Sequence, residues 1–171
     1  GLAACIGTKS QLEAYRTLFV AEISEDVGVT GSLYSAIIEA AGRVASLQPD
    51  FADKAHEFAL SLYRTLRDSE IVPPPEAYSG LMAITAAMGE STKAFAFFHE
   101  AKLLHTAQKL PPELYTNLLR SYVVGGFSQD ALDTFEVLLE AQAPLNRQAF
   151  HIILQSAVSL RDCYDILNLM V

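Results

Sequence analysis

One phrase occurs four times along this chain: an aromatic ring, then apolar or small residues three, four and seven positions later. It reads Tyr34/Ile37/Ile38/Ala41, Tyr115/Leu118/Leu119/Tyr122 and Phe150/Ile153/Leu154/Ala157, and Tyr78/Leu81/Met82 with Thr85 in a weaker last slot. Such offsets line side chains along one stripe of an α-helix, whereas a strand would need alternation at every second residue. A second phrase follows the copies at Tyr34, Tyr78 and Tyr115: Ala, an aromatic four residues on, and an apolar or small residue three further. Ala59/Tyr63/Leu66, Ala94/Phe98/Ala101 and Ala131/Phe135/Leu138 carry it. The small Ala lets two helices approach, and the ring fills the space one turn away. The chain therefore reads as helical hairpins, with a helix A carrying the first phrase and a helix B the second.

The punctuation agrees. Gly89 and Gly125-Gly126 stand between A and B, where a helix ends and the backbone turns with positive φ. Pro73-Pro74-Pro75, Pro111-Pro112 and Pro144 separate each B from the next A. The four aromatics are 44, 37 and 35 residues apart, and Ala94 and Ala131 each follow their aromatic by 16. Ala59 follows Tyr34 by 25, so the first complete unit holds nine extra residues, expected to loop out within Arg43 to Asp53. Two helices cannot bury both apolar faces alone, so hairpins of this kind stack. The expected fold class is all-α, a right-handed superhelical solenoid of antiparallel helix hairpins. One domain spans 1–171, with full repeats at 31–74, 75–111 and 112–146. Partial repeats occupy 1–30, with a helix at about 9–24, and 147–171.

Bulk properties narrow the function classes. At 51% hydrophobic residues the chain is not intrinsically disordered. Its net charge of −8 speaks against a general polyanion-binding surface, although a basic strip can hide within that average. Cys5 and Cys163 belong to no metal-binding or redox motif and read as small buried hydrophobes in a reducing compartment. The longest near-apolar run, Gly80 to Gly89, is about half of what a membrane span needs. Both ends read like helix interiors, and the N-terminus has neither signal-peptide nor transit-peptide character. A fragment of a longer protein, or ends capped by a partner, is expected.

No constellation for catalysis stands out. His56, His99, His105 and His151 are scattered, and the six-residue gap between His99 and His105 does not bring two ligands to one helix face. They read as exposed or hydrogen-bonded helix histidines. Asp50/Asp53 and Asp130/Asp133 sit where B helices begin, where negative charge caps a helix. Gly125-Gly126 lacks the Lys-Ser/Thr that a phosphate loop needs. Tyr63, Tyr115, Tyr122, Phe95, Phe97 and Phe98 read as core. The expectation is no enzyme, no metal, no cofactor and no small-molecule substrate.

The phrases resemble the pentatricopeptide-repeat family over most of the chain. Its helix-A pattern is similar to Tyr34-Ser35-Ala36-Ile37-Ile38 and Tyr115-Thr116-Asn117-Leu118-Leu119, and its helix-B pattern to Ser128-Gln129-Asp130-Ala131-Leu132-Asp133-Thr134-Phe135. The tetratricopeptide repeat, the nearest competitor, has a Trp-Leu-Gly-Tyr signature that is missing, and this chain has no Trp. The resemblance implies single-stranded RNA bound along the concave helix-A face, one base per repeat, in a mitochondrion or else a plastid. It implies base-reading pairs at Ser35 with Pro74, Ser79 with Pro111, and Thr116 with Asn146. Pro has no side-chain donor or acceptor, so only the last pair, an adenine-like combination in the family's code, can read a base edge. Arg43, Arg120 and Arg147 are the phosphate candidates, with Glu39 opposing them. Lys54, Arg64, Arg67, Lys93 and Lys102 fall on B helices, as solvated charges. Weak affinity for isolated RNA follows. The alternative is a protein scaffold packed against subunits of a larger ribonucleoprotein, such as a mitochondrial ribosome.

Overall fold

A computed structural model describes residues 31–107, 109–157 and 166–167. The helix expected at about 9–24, both cysteines and most of the residues after 157 lie outside the described residues.

Among the described residues seven α-helices succeed one another: α1 (Gly31–Leu47), α2 (Ala52–Asp68), α3 (Pro75–Ala87), α4 (Ser91–Leu104), α5 (Pro112–Val124), α6 (Ser128–Glu140) and α7 (Arg147–Ser156). A single 3-10 turn, Pro49–Phe51, joins α1 to α2, and no strand occurs among the described residues. The odd-numbered helices are the A helices, and each starts three residues before its phrase's aromatic. They stack directly, α1 on α3, α3 on α5 and α5 on α7, while each B helix packs against the A helices on either side of it.

Pro75 and Pro112 occupy the first turns of α3 and α5, where the missing N–H costs nothing and the fixed φ is already helical. The B helices end several residues before these prolines. Four helix ends share a pair of bonds that satisfies their last carbonyls: after α3, the Glu90 N–H donates to Thr85 O and the Gly89 N–H to Ala86 O. Equivalent pairs close α2 at Glu70, α5 at Gly126 and α6 at Gln142. The turning residue has φ of +70° at Gly89 and +82° at Gly126, but Gly125 stays in the right-handed region at −72°. Only the second glycine of that pair makes the turn. Glu70 (φ 56°) and Gln142 (φ 51°) adopt the same conformation without glycine's freedom.

The nine extra residues of the first unit do not loop out. Arg43 to Leu47 continue α1, which runs four residues further past its aromatic than α3 does, and α2 starts four residues earlier before its Ala than α4 does. The 3-10 turn absorbs the one that remains. Both helices gain about a turn because Arg-Val-Ala-Ser-Leu carries no helix breaker before Pro49.

Two core clusters run through the stack, with Tyr115 and Tyr122 touching both. Their organising motif is a ring pair across each junction between repeats. Tyr63 of α2 meets Tyr78 of α3 edge-to-face at 5.9 Å, Phe98 meets Tyr115 at 5.3 Å, and Phe135 meets Phe150 at 5.3 Å. Each pair contributes on the order of 1 kcal/mol beyond the area it buries. Tyr34 and Tyr78 are buried, whereas Tyr115 and Phe150 are half-buried. Phe95 departs from the core expectation at 49% exposed, stacked on exposed His99 at 6.3 Å. It shares α4 with Phe97 and Phe98, and three rings within four residues cannot all face inward.

Helices α1 and α3 cross at backbone contact. A Cβ on Gly80 would lie 2.4 Å from the Ile38 carbonyl oxygen, and one on Gly42 would lie 2.7 Å from the Gly80 carbonyl oxygen. Only glycine permits this approach.

Candidate nucleic-acid interface

The stacked A helices share one solvent-facing groove of about 410 Å³. Glu39 and Arg43 of α1, Ser79 of α3, Thr116 and Arg120 of α5 and Gln148 of α7 are among its walls. Four of the seven residues singled out from sequence therefore line one groove. A second hollow of about 550 Å³, beside α1 and the α2–α3 linker, holds Ser35 and Pro74 with Glu39 and Glu76. Asn146 and Arg147 lie at the start of α7, next to Gln148. The five basic residues assigned to B helices lie on α2 and α4.

The pair Thr116 and Asn146, 30 residues apart in sequence, is in direct contact. The Thr116 hydroxyl shares its single proton between Asn146 Oδ1 at 2.9 Å and the Pro112 carbonyl at 3.0 Å. Asn146 Oδ1 also accepts the Ala149 N–H at 3.0 Å, so Asn146 caps α7. These bonds fix the carboxamide's orientation. Its Nδ2 group has no partner among the described residues. Thr116 is only 2% exposed, so Asn146 is the accessible half of the pair.

The other two pairs differ. The Ser35 hydroxyl is buried and donates to Ser32 O at 3.0 Å beside the ring of Pro74. Ser79 is half-buried, and its carbonyl oxygen accepts from Asn117 Nδ2 at 3.1 Å, tying α5 to α3.

The cations divide in the same way. Arg43 donates to Glu39 at 2.8 Å, an exposed i,i+4 pair worth a few tenths of a kcal/mol but enough to neutralise that end of the groove. Arg120 has no carboxylate within ion-pair distance among the described residues and makes only a long 3.5 Å contact to Asn117 Oδ1. Burial lowers its pKa, yet a guanidinium remains charged at neutral pH. Arg120 stands one helical turn after Thr116 on the same face of α5. Glu76 and Glu113 occupy the first turns of α3 and α5, where their charge complements the helix dipoles. The α1–α3 end of the A face is thus acidic or neutralised, and the α5–α7 end sets Arg120 and Arg147 against Glu113.

Several residues set aside in the sequence take unforeseen places. His56 is buried, its Nε2 has no partner among the described residues, and its pKa is lowered, first by burial and then by Lys93. His105 Nε2 lies 2.9 Å from the Pro73 carbonyl oxygen, fastening the end of α4 to the prolines before α3. Asp50, Asp53 and Asp130 lie in first turns, as capping requires, but none forms a side-chain cap bond. Asp133 instead accepts from Gln129. Tyr63, Arg67 and Glu100 form a polar cluster beside the buried Tyr78 hydroxyl, which itself lacks a well-formed hydrogen bond. Burial, and then the neighbouring Tyr63 hydroxyl, push the Tyr78 pKa upward. Among the described residues no three His, Cys, Asp or Glu are grouped to hold a metal, and no helix is long and apolar enough to cross a membrane.

No family model matches the sequence, and no curated protein matches it. The fold does have a counterpart among solved structures. Nuclear proteinaceous RNase P 2 from A. thaliana superimposes with a TM-score of 0.74 at 16% sequence identity, over 98% of this chain. The chain spans about a third of that protein, 36% of its length. The shared feature is the sequential packing of helical hairpins, the architecture that the likeness to pentatricopeptide repeats implies.

Proposed function

We propose that this chain is a non-catalytic helical-repeat module that holds a short stretch of single-stranded RNA on its A-helix face, within a larger RNA-processing or translation protein of an organelle. The observation that carries the reading is the α5–α7 end of the groove. There the guanidinium of Arg120, without a carboxylate partner among the described residues, shares a helix face with Thr116. Thr116 in turn steadies an Asn146 amide whose Nδ2 group is unused. A fixed amide edge can meet a base edge, and a guanidinium can meet a phosphate. The fold shared with a proteinaceous RNase P supports the same reading.

The contact is short. Arg43 is engaged by Glu39, and Glu76 and Glu113 add negative charge along the A face. With Arg120 and Arg147 as the two phosphate contacts, log affinity should fall against log salt with a slope of about −1.4. Fluorescence anisotropy of labelled single-stranded oligonucleotides against the 171-residue chain tests this. Arg120→Ala should halve the slope, and binding no tighter than about 10⁻⁴ M at low salt ends the proposal.

A second reading, a scaffold subunit of a mitochondrial ribonucleoprotein, draws on the prolines at positions 74 and 111 and on the acidity of the α1–α3 end. It predicts that the tagged full-length protein sediments with a large mitochondrial assembly after RNase treatment. Release by RNase favours the first reading.

A further inference from the structure

The three B helices carry the same phrase, but the two junctions between them are filled differently. Tyr63, Phe98 and Phe135 hold equivalent positions in α2, α4 and α6, each facing the aromatic of the following A helix. Between α2 and α4, two side chains of α4 close the space beside that ring. Phe97, one residue before Phe98, stands edge-on to Tyr63 at 5.9 Å. Glu100, two residues after Phe98, accepts from the Tyr63 hydroxyl and from Arg67, each at 2.7 Å.

One repeat further on, those two positions of α6 are Thr134 and Val137. Thr134 has no ring to set against Phe98. Val137 has no carboxylate for Lys102, which stands four residues after Phe98 as Arg67 stands four after Tyr63. A groove of about 760 Å³ lies there, with Phe98, Leu118, Thr134, Val137 and Lys102 in its walls. Val137 is 62% exposed, and Lys102 has no ion-pair partner among the described residues. Lys109 lies on the same rim, so the groove sets two lysines against the one carboxylate of Asp133, which accepts from Gln129.

We propose that this B-face groove receives a helix of another protein carrying an aromatic residue and, three positions later, a carboxylate. Such a helix would supply from outside the two groups that Phe97 and Glu100 supply internally one repeat earlier. The ring covers Phe98 and Val137, and the carboxylate pairs with Lys102. Residues three apart share one helix face, and an amphipathic helix in an apolar groove is an established mode of recognition. The groove shares no lining residue with the A-helix groove, so the two ligands do not compete for it.

The chain itself provides a probe: a side-chain-stapled peptide of residues 91–104, which contains Phe97 and Glu100. Titrated into the 171-residue chain with methyl-labelled Leu and Val, it should shift Leu118, Val137 and Leu138. Phe97→Ala or Glu100→Lys in the peptide should weaken binding by about tenfold or more. Lys102→Glu in the protein should do the same and should recover binding of the Glu100→Lys peptide. Thr134→Phe with Val137→Glu, which rebuilds the internal plug, should abolish binding. Lys102 is exposed, so its variant remains informative if the rebuilt core does not fold. Shifts elsewhere, equal binding of the Phe/Glu and Ala/Lys peptides, or indifference to Lys102→Glu overturns the proposal. Concentration-dependent changes at Val137 without peptide would replace the partner helix by a second copy of the chain.

Discussion

Replacing Gly80 by Ala tests the helix crossing that positions the A-helix groove. The added Cβ would sit 2.4 Å from Ile38 O, 2.6 Å from Ile38 C and 2.7 Å from Glu39 Cα, all backbone atoms that no rotamer change can move. Ordinary contact requires about 1 Å more, so α1 and α3 must separate by that amount along the crossing. Overpacking of this kind costs about 3 kcal/mol, and the gap it opens weakens dispersion contacts on either side. Alanine's helix propensity returns about 1 kcal/mol. The net loss is about 2 kcal/mol, or a fall of roughly 4–8 °C in Tm. Urea unfolding followed by circular dichroism reads it directly. Gly42→Ala removes the same approach from the other side, so the double variant should cost clearly less than the sum of the two single ones. A Gly80→Ala protein as stable as the parent, or strict additivity with Gly42→Ala, would refute the backbone contact.

Glu70→Gly and Gln142→Gly should each stabilise the chain by about 1 kcal/mol, since both positions hold positive φ with a side chain attached; thermal denaturation checks this. Asn146→Ala removes the acceptor shared by the Ala149 N–H and the Thr116 hydroxyl and should cost about 1–2 kcal/mol, whereas Thr116→Val leaves the cap intact and should cost less. Burial, reinforced by Lys93 and opposed by Glu90, Asp53 and Glu57, lowers the His56 pKa below 6.5. The unfolded chain therefore takes up a proton near pH 6.5 that the folded chain refuses, and stability should drop as pH falls from 7.5 to 5.5. His56→Gln should flatten that slope in urea midpoints measured across the same range.

The fold was legible because its signal is repeated. The A and B phrases placed seven helices, and each A helix begins at the same distance from its ring. Features that occur once were not legible in the same way. Gly80 carries no distinguishing neighbour in the sequence, and its role exists only because Gly42, 38 residues earlier, crosses it. The nine extra residues were countable, but their helical state depended on where the single breaker, Pro49, fell. Phe95, Phe97 and Phe98 all looked like core, since spacing alone does not tell which of three adjacent rings faces solvent. At the interface, Thr116 and Asn146 were paired from the resemblance to a repeat family, and their 2.9 Å bond is a geometric fact of the structure. The Glu39–Arg43 pair was readable as opposition of charge, but the lack of a counter-ion at Arg120 required coordinates. The vacancy between α4 and α6 appears only when successive B helices are laid over one another position by position.

The glycine crossing also sets which way one hairpin leans on the next. Backbones touch where α1 crosses α3 in the A layer, whereas α2 and α4 meet through side chains, which makes this junction a wedge, narrow on one side and broad on the other. A row of wedges forms an arch with its inner curve on the narrow side. A methyl group at the fulcrum, or a helix driven between the broad ends, would change the radius of that arch. Either would alter the spacing that a ligand lying along the inner curve has to match.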